Sequence, residues 1–228
     1  MVAVTLDSLD LAALLCSRVC HDVISPVGAI VNGLEVLEDE SDASMKEFAL
    51  DLIRKSARQA SARLQFARLA FGAAGSAGAA IDLSDAEGVA KGFFGDEKTG
   101  LAWSAPRLLL PKNRVKLLLN LVVVASQAIP RGGQITVTVE GDAKASRFTI
   151  LSKGINARIP PHVEALMAAA PESGTVDAHG IQAFYAGMVA RAAGMKVTFA
   201  IAGDEVTILA EMDPENPNSA PIDTGMIG

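Results

Sequence analysis

Two long runs of apolar residues at alternating steps of three and four, one directly after the other, constrain this chain more than any other feature. In the first, Cys16, Cys20, Val23, Val27, Ile30, Leu34 and Leu37 share the spacing that keeps side chains on one face of an α-helix. The spacing predicts a helix from about Asp7 to Glu38, with both cysteines serving as small core hydrophobes. The segment EDESDAS then supplies charge, a break and new capping residues. Beyond it Leu50, Ile53, Ala57, Ala60, Leu64, Ala67 and Phe71 form a second seam, so the first third reads as an antiparallel helical hairpin. Two helices of roughly 30 residues at ~1.5 Å per residue make a rod more than ~40 Å long, too thin to bury its own apolar stripe. A second hairpin from another copy of the chain would complete a four-helix bundle, which predicts a homodimer. Docking of the hairpin on the rest of its own chain is the alternative.

The remaining residues change character. GAAGSAGAA, ending at Ala80, reads as a flexible linker, which divides the chain into a hairpin (1–72), a linker (73–80), a second domain (81–212) and a tail (213–228). In the second domain IDLSDAEGVAKGFF suggests a strand end and a helix, KNRVKLLLNLVVVASQAI a buried helix, and QITVTVEG and RFTILS two strands. HVEALMAAA and IQAFYAGMVARAA read as helices, and MKVTFAIAGDEVTILAEM as a β-hairpin turning at Gly203-Asp204. Helices on one face of a mixed or antiparallel sheet make the fold class α+β. The tail, DPENPNSAPIDTGMIG, has the composition of a disordered segment.

Of the 228 residues, 50% are hydrophobic and only 20% charged, enough apolar content for a real core. A net charge of −6 argues against nucleic acid or a membrane surface as partner, since both are reached through clustered Lys and Arg. Cys16 and Cys20 are the only cysteines and no Cys/His set has metal spacing, so neither a disulfide framework nor a metal site is predicted. There is no uninterrupted apolar run of eighteen residues, and MVAVTLDSLD lacks a basic leader; a soluble cytoplasmic protein is expected.

Within the first helix the stretch VCHDVISPVGAI carries the chemistry. At about 100° per residue His21 lies ~130° from the middle of the apolar seam, facing solvent. Ser17, Arg18, Ser25, Gly28 and Asn32 share its face and leave the imidazole open to a docking protein. An exposed histidine is either an ordinary surface residue or a nucleophile. A phosphate acceptor needs a neutral imidazole with a free nitrogen and a neighbouring carboxylate to orient the ring or take a proton; Asp22 is placed for that. Pro26 lacks an N–H and should bend the helix one turn later, freeing the Asp22 carbonyl and opening a groove for a partner.

HDVISPVGAI at 21–30 resembles the H-box of two-component histidine kinases, although Ile24 stands where a basic or polar residue is usual. In such kinases the following domain binds ATP, and here its framework persists while its chemistry is lost. Asn120 and Leu121 match the start of the N-box, but Val124 takes the place of the magnesium-binding Asn, and valine offers no oxygen to a hard cation. Ile159 and Pro160 match the end of the G1 box, with Gly154, Asn156 and Arg158 where Asp, Gly and Gly belong. In the G2 loop only Gly180 and Ile181 match, and bulky neighbours such as Gln182 would block backbone approach to phosphates.

As far as about Met212 the chain is similar to the dimeric ChpT-type histidine phosphotransferases of alphaproteobacteria. The resemblance implies a dimeric four-helix bundle followed by a degenerate histidine-kinase ATPase-like α/β sandwich. It also implies a relay in which phosphate passes from the receiver aspartate of a hybrid kinase to His21, and on to the receiver of a response regulator. By the same resemblance the donor is CckA-like and the acceptors CtrA- and CpdR-like. His21 would carry the phosphate, Asp22 orient it or accept its proton, and Arg18, Ser25, Gly28 and Asn32 form docking surface. No cofactor of its own is implied; Mg2+ is expected in the partner receiver. The alternatives are an ATP-dependent kinase with an unusual nucleotide site and a non-catalytic dimeric scaffold that binds receivers. His162 and His179 read as structural or merely exposed.

Overall fold

The structure, a computed structural model, describes residues 3–39, 42–72, 80–95 and 98–216. The expected linker apart from Ala80, and residues 217–228 of the expected tail, lie outside the described residues. The hairpin forms as its spacing predicts, from α1 (Ser8–Asp39) and α2 (Ala43–Ala70). Each start is fixed by an aspartate. Asp7 Oδ1 accepts the N–H groups of Leu9 and Asp10, each at 2.8 Å, and Asp42 Oδ1 accepts that of Ser44 at 2.8 Å, satisfying donors that a helix start otherwise leaves open. The two helices meet closely at Gly33, where a Cβ would stand 2.7 Å from Ile53 Cγ1 and 3.3 Å from the Ala49 carbonyl oxygen.

The seam read from the sequence divides between two faces. Val23, Ile30 and Leu37 are half-buried, while Cys16, Cys20, Val27 and Leu34 are exposed beside Ile24 and Val31. The reason is geometric: a single neighbouring helix covers one flank of a wide stripe and leaves the other open. An 18-residue window of α1 within Ser8–Glu38 reaches a mean hydropathy of 1.4, with 6% of it buried. By length and composition this helix is therefore apolar enough to cross a membrane, although no uninterrupted run of that length occurs. On α2 the expected seam divides in the same way: Ala60 is buried and Ile53 half-buried, but Leu50 and Leu64 are exposed.

The second domain is a five-stranded sheet in the order β2-β4-β5-β7-β6. Its strands are β2 (Thr99–Ser104), β4 (Gly133–Gly141), β5 (Ser146–Lys153), β6 (Met195–Ala202) and β7 (Glu205–Met212). β2 runs parallel to β4 and every other pairing is antiparallel. A separate two-stranded ribbon joins β1 (Ala80–Asp82) to β3 (Leu109–Pro111). The helices are α3 (Leu83–Phe94), α4 (Lys112–Gln127), the short α5 (Val163–Met167) and α6 (Ile181–Ala192). Alternating burial places Ile135, Val137 and Val139 of β4 with Phe148 and Ile150 of β5 on one face of the sheet, as the period of two in their sequences requires. α4 is buried from Arg114 through Ala125, so it is the central helix of the domain. β2 was not among the expected strands.

The boundary expected at the linker is not a boundary in the packing. Phe66 and Ala70 of α2 belong to the same buried cluster as Leu83, Phe94, Leu117 and Leu121, and the Phe66 and Phe93 rings lie 4.4 Å apart. Docking of the hairpin on its own second domain, weighed above as the alternative to dimerisation, is thus realised by α2. The outer flank of α1 remains open.

Candidate functional site

His21 projects from α1 with its side chain 79% exposed. Its Nδ1 lies 3.4 Å from Asp22 Oδ1, and Asp22 Oδ2 lies 3.2 Å from Arg18 Nε one turn back. The three side chains form a line, guanidinium to carboxylate to imidazole, in which Asp22 and Arg18 are only 18% and 19% exposed. A carboxylate beside Nδ1 favours the tautomer protonated there, which leaves the Nε2 lone pair facing outward as a nucleophile. Arg18 is ion-paired with Asp22 through Nε, although the geometry there makes no hydrogen bond, and it is more enclosed than the open helix face suggested. Ser17, Ser25 and Asn32 are exposed, and Gly28 is half-buried with nothing within 4 Å of where a Cβ would stand.

Pro26 leaves the Asp22 carbonyl without its intrahelical donor, as expected. α1 continues through it to Asp39, and its side chain is buried. The Asp22 carbonyl, which has no N–H at residue 26 to accept, takes a hydrogen bond from Arg63 Nη1 of α2 at 2.7 Å. The freed carbonyl is therefore used inside the hairpin instead of opening a groove, because a guanidinium from the neighbouring helix reaches it.

Opposite His21, the second domain completes a cleft of about 1130 Å3. Ser17, Arg18 and His21 form one wall, and the loops around α5 and before α6 form the other, including Arg158, His162 and His179. Each of the chain's three histidines lines it. His162 holds a left-handed backbone (φ 60), with Nδ1 3.9 Å from Glu172 Oε2. Asp177 Oδ1 accepts the N–H groups of Gly180 (2.7 Å) and His179 (3.0 Å). The Gly180 bond above all holds its carboxyl below the usual carboxylate range. Sequence reasoning set His162 and His179 aside and passed over Arg63; folding the loops onto α1 is what brings the first two to the cleft, and no sequence pattern announces that.

The positions that resemble a nucleotide site go elsewhere. Val124 is fully buried in the core. Asn120 is buried too, donating through Nδ2 to the carbonyls of Ala70 (3.1 Å) and Lys116 (2.7 Å), and Gln182, also buried, donates its Nε2 to Asn120 Oδ1 at 2.6 Å. Gly154 sits in a tight turn where a Cβ would meet the Gly132 carbonyl oxygen at 2.5 Å. Asn156 takes a left-handed conformation (φ 59). Of Val124, Gly154, Arg158 and Gln182, Arg158 is the one that lines the cleft. Among the described residues no group of three or more His, Cys, Asp and Glu gathers as a metal site.

Comparison with known proteins bears directly on this arrangement. Residues 83–205 match the family model of the histidine phosphotransferase C-terminal domain. The chain is 52% identical over 209 residues to the protein phosphotransferase ChpT of Brucella abortus (strain 2308), covering 91% of this chain and 98% of that protein. A solved bacterial phosphotransferase superposes with a TM-score of 0.84 at 48% identity, covering 92% of this chain and 100% of that one.

With an accessible imidazole on a helical hairpin, backed by an α/β domain that matches the histidine phosphotransferase model, the chain is a phosphotransferase that acts through histidine. The chain belongs to the histidine phosphotransferase family.

Proposed function

We propose that this phosphorelay protein carries phosphate on His21 between two receiver domains, taking it from the aspartate of a hybrid kinase receiver and passing it to the aspartate of a response regulator. The carrying observation is His21 itself, exposed at the mouth of the cleft with Nδ1 turned to Asp22. In the loading step Nε2 attacks phosphorus, an N–P bond forms, and the acyl-phosphate bond of the receiver breaks to return a free carboxylate; unloading is the reverse on the second receiver. Such a transfer needs placement and charge compensation more than covalent help. Asp22 orients the ring, Arg18 holds Asp22, and Ser25, Gly28 and Asn32 offer the docking face along α1.

The protein does this without ATP and without a cofactor of its own, the Mg2+ being held by the receiver. Burial of Val124 and Gln182 and the absence of a carboxylate at Gly154 support that reading. The working form is a cytoplasmic homodimer in which the exposed stripe of Cys20, Ile24, Val27, Val31 and Leu34 packs against a second hairpin, continuing the α1–α2 contact into a four-helix bundle. The test is to mix the protein with a receiver labelled at its phosphoaspartate. Label should leave the receiver with the wild type and stay on it with His21→Ala; equal loss with both variants refutes the relay. Label appearing on His21 from ATP alone refutes the ATP-free part.

A further inference from the structure

We infer that Arg63 is a positioning residue for His21, a role that rests on the phosphate-carrying histidine proposed above. A proline inside a helix removes the donor that the carbonyl four residues earlier would accept. In α1 that carbonyl belongs to Asp22, the residue whose side chain touches the imidazole. Arg63 supplies the missing donor from the neighbouring helix, Nη1 to Asp22 O at 2.7 Å. The guanidinium is itself held in place: its carbon lies 6.0 Å from the centroid of the Phe93 ring on α3, a cation–π distance. That ring packs 4.4 Å from Phe66, which is part of the core shared by hairpin and second domain.

Asp22 is therefore gripped at both ends, at its carboxylate by Arg18 and at its carbonyl by Arg63. Turning about the backbone at Asp22 would swing the carboxylate away from Nδ1, so fixing the carbonyl fixes the ring. Pro26 and Arg63 are two halves of one device: the proline empties the acceptor and the arginine fills it. A lysine is a poorer substitute, since a single ammonium on a flexible stem lacks the planar fork.

The experiment uses the full chain and a labelled phosphoreceiver, reading the maximal transfer rate and the half-saturating receiver concentration separately. Arg63→Met should lower the maximal rate about tenfold while the half-saturating concentration stays within about twofold. In a Pro26→Ala background, where residue 26 regains an N–H for Asp22, the same substitution should cost less than about threefold, because the two residues share one partner. Arg63→Lys should fall between wild type and Arg63→Met. Equal rate loss in both backgrounds, or a loss confined to half-saturation, overturns the proposal. If Arg63→Met does not fold, Arg63→Lys with and without Pro26→Ala is read by the same criterion. The His21→Ala control separates the two readings: if it still takes label, the carrier assignment has failed; if it does not and Arg63 behaves additively with Pro26, only the positioning role has failed.

Discussion

Asn120 offers the sharpest quantitative test of how the hairpin is joined to the second domain. Its side chain is fully buried and makes three hydrogen bonds, donating to Ala70 O and Lys116 O and accepting from Gln182 Nε2. Ala70 is the last residue of α2, and the final carbonyls of a helix have no intrahelical partner. Asn120→Leu removes the donor from the Ala70 carbonyl and the acceptor from Gln182. Each buried polar group left without a partner costs about 1–3 kcal/mol, so the substitution should destabilise by about 2–6 kcal/mol. Gln182→Leu leaves Asn120 Oδ1 open, at about 1–3 kcal/mol. In the double variant Gln182 no longer needs an acceptor, nor Asn120 Oδ1 a donor, and the loss should fall short of the sum by at least about 2 kcal/mol. Urea denaturation of the four proteins, with unchanged m-values as the check on two-state behaviour, measures this directly. Additivity within about 0.5 kcal/mol would refute the reasoning, because it would mean that the Asn120–Gln182 contact at 2.6 Å carries no coupling.

Two further outcomes test other parts of the structure. Val27 and Val31 are exposed on the open flank of α1; Val27→Glu with Val31→Glu should turn a sedimenting dimer into a monomer while leaving helix content unchanged, and a wild type that sediments as a monomer sinks the bundle. Asp42 is held below the ordinary carboxylate range chiefly by the Ser44 hydroxyl, Asp82 by the Ser84 N–H, Asp142 by the Ala145 N–H and Asp177 by the Gly180 N–H. A depressed folded-state value means that the stabilisation is present above the unfolded value of about 4 and is lost as pH falls through the folded one. The thermal midpoint should hold down to about pH 5 and drop below about pH 4, with a shallower drop in Asp82→Asn with Asp142→Asn; an unchanged acid slope in that variant would be the contrary result.

The hairpin was legible because its signals are local. Period-3.6 apolar spacing, with Asp7 and Asp42 before the helix starts, acts within a few residues or one turn. The β6–β7 hairpin was legible for the same reason, with Gly203 supplying the left-handed turn (φ 58). β2 was not, because TGLAWS pairs in parallel with β4, Thr99 opposite Gly133, and a parallel partner leaves no turn signal between the strands. His21 and Asp22 could be found as neighbours on a predicted helix. Arg63, more than forty residues away, reached them only through the packing of α2 on α1.

The residues at the nucleotide-box positions have a packing role that follows from where they point. Asn120 and Gln182 fall at positions that resemble an N-box and a G2 loop, yet both side chains turn inward to tie α4, α6 and the end of α2 together. Lys116 adds a bond from Nζ to the Phe71 carbonyl at 3.4 Å. A domain that forms the far wall of a docking cleft gains from being fixed and not swinging about its junction. Buried hydrogen bonds at the junction resist such swinging, since each would have to be broken without water to replace it. On the relay reading, the fixed junction gives a cleft whose two walls, His21 on α1 and Arg158 with His179 opposite, keep a constant separation as successive receivers come and go. The Asn120 and Gln182 variants, measured for transfer as well as stability, should then lose transfer rate in the order in which they lose stability; full transfer in a destabilised but folded Asn120→Leu protein would show that the junction holds the fold and not the site.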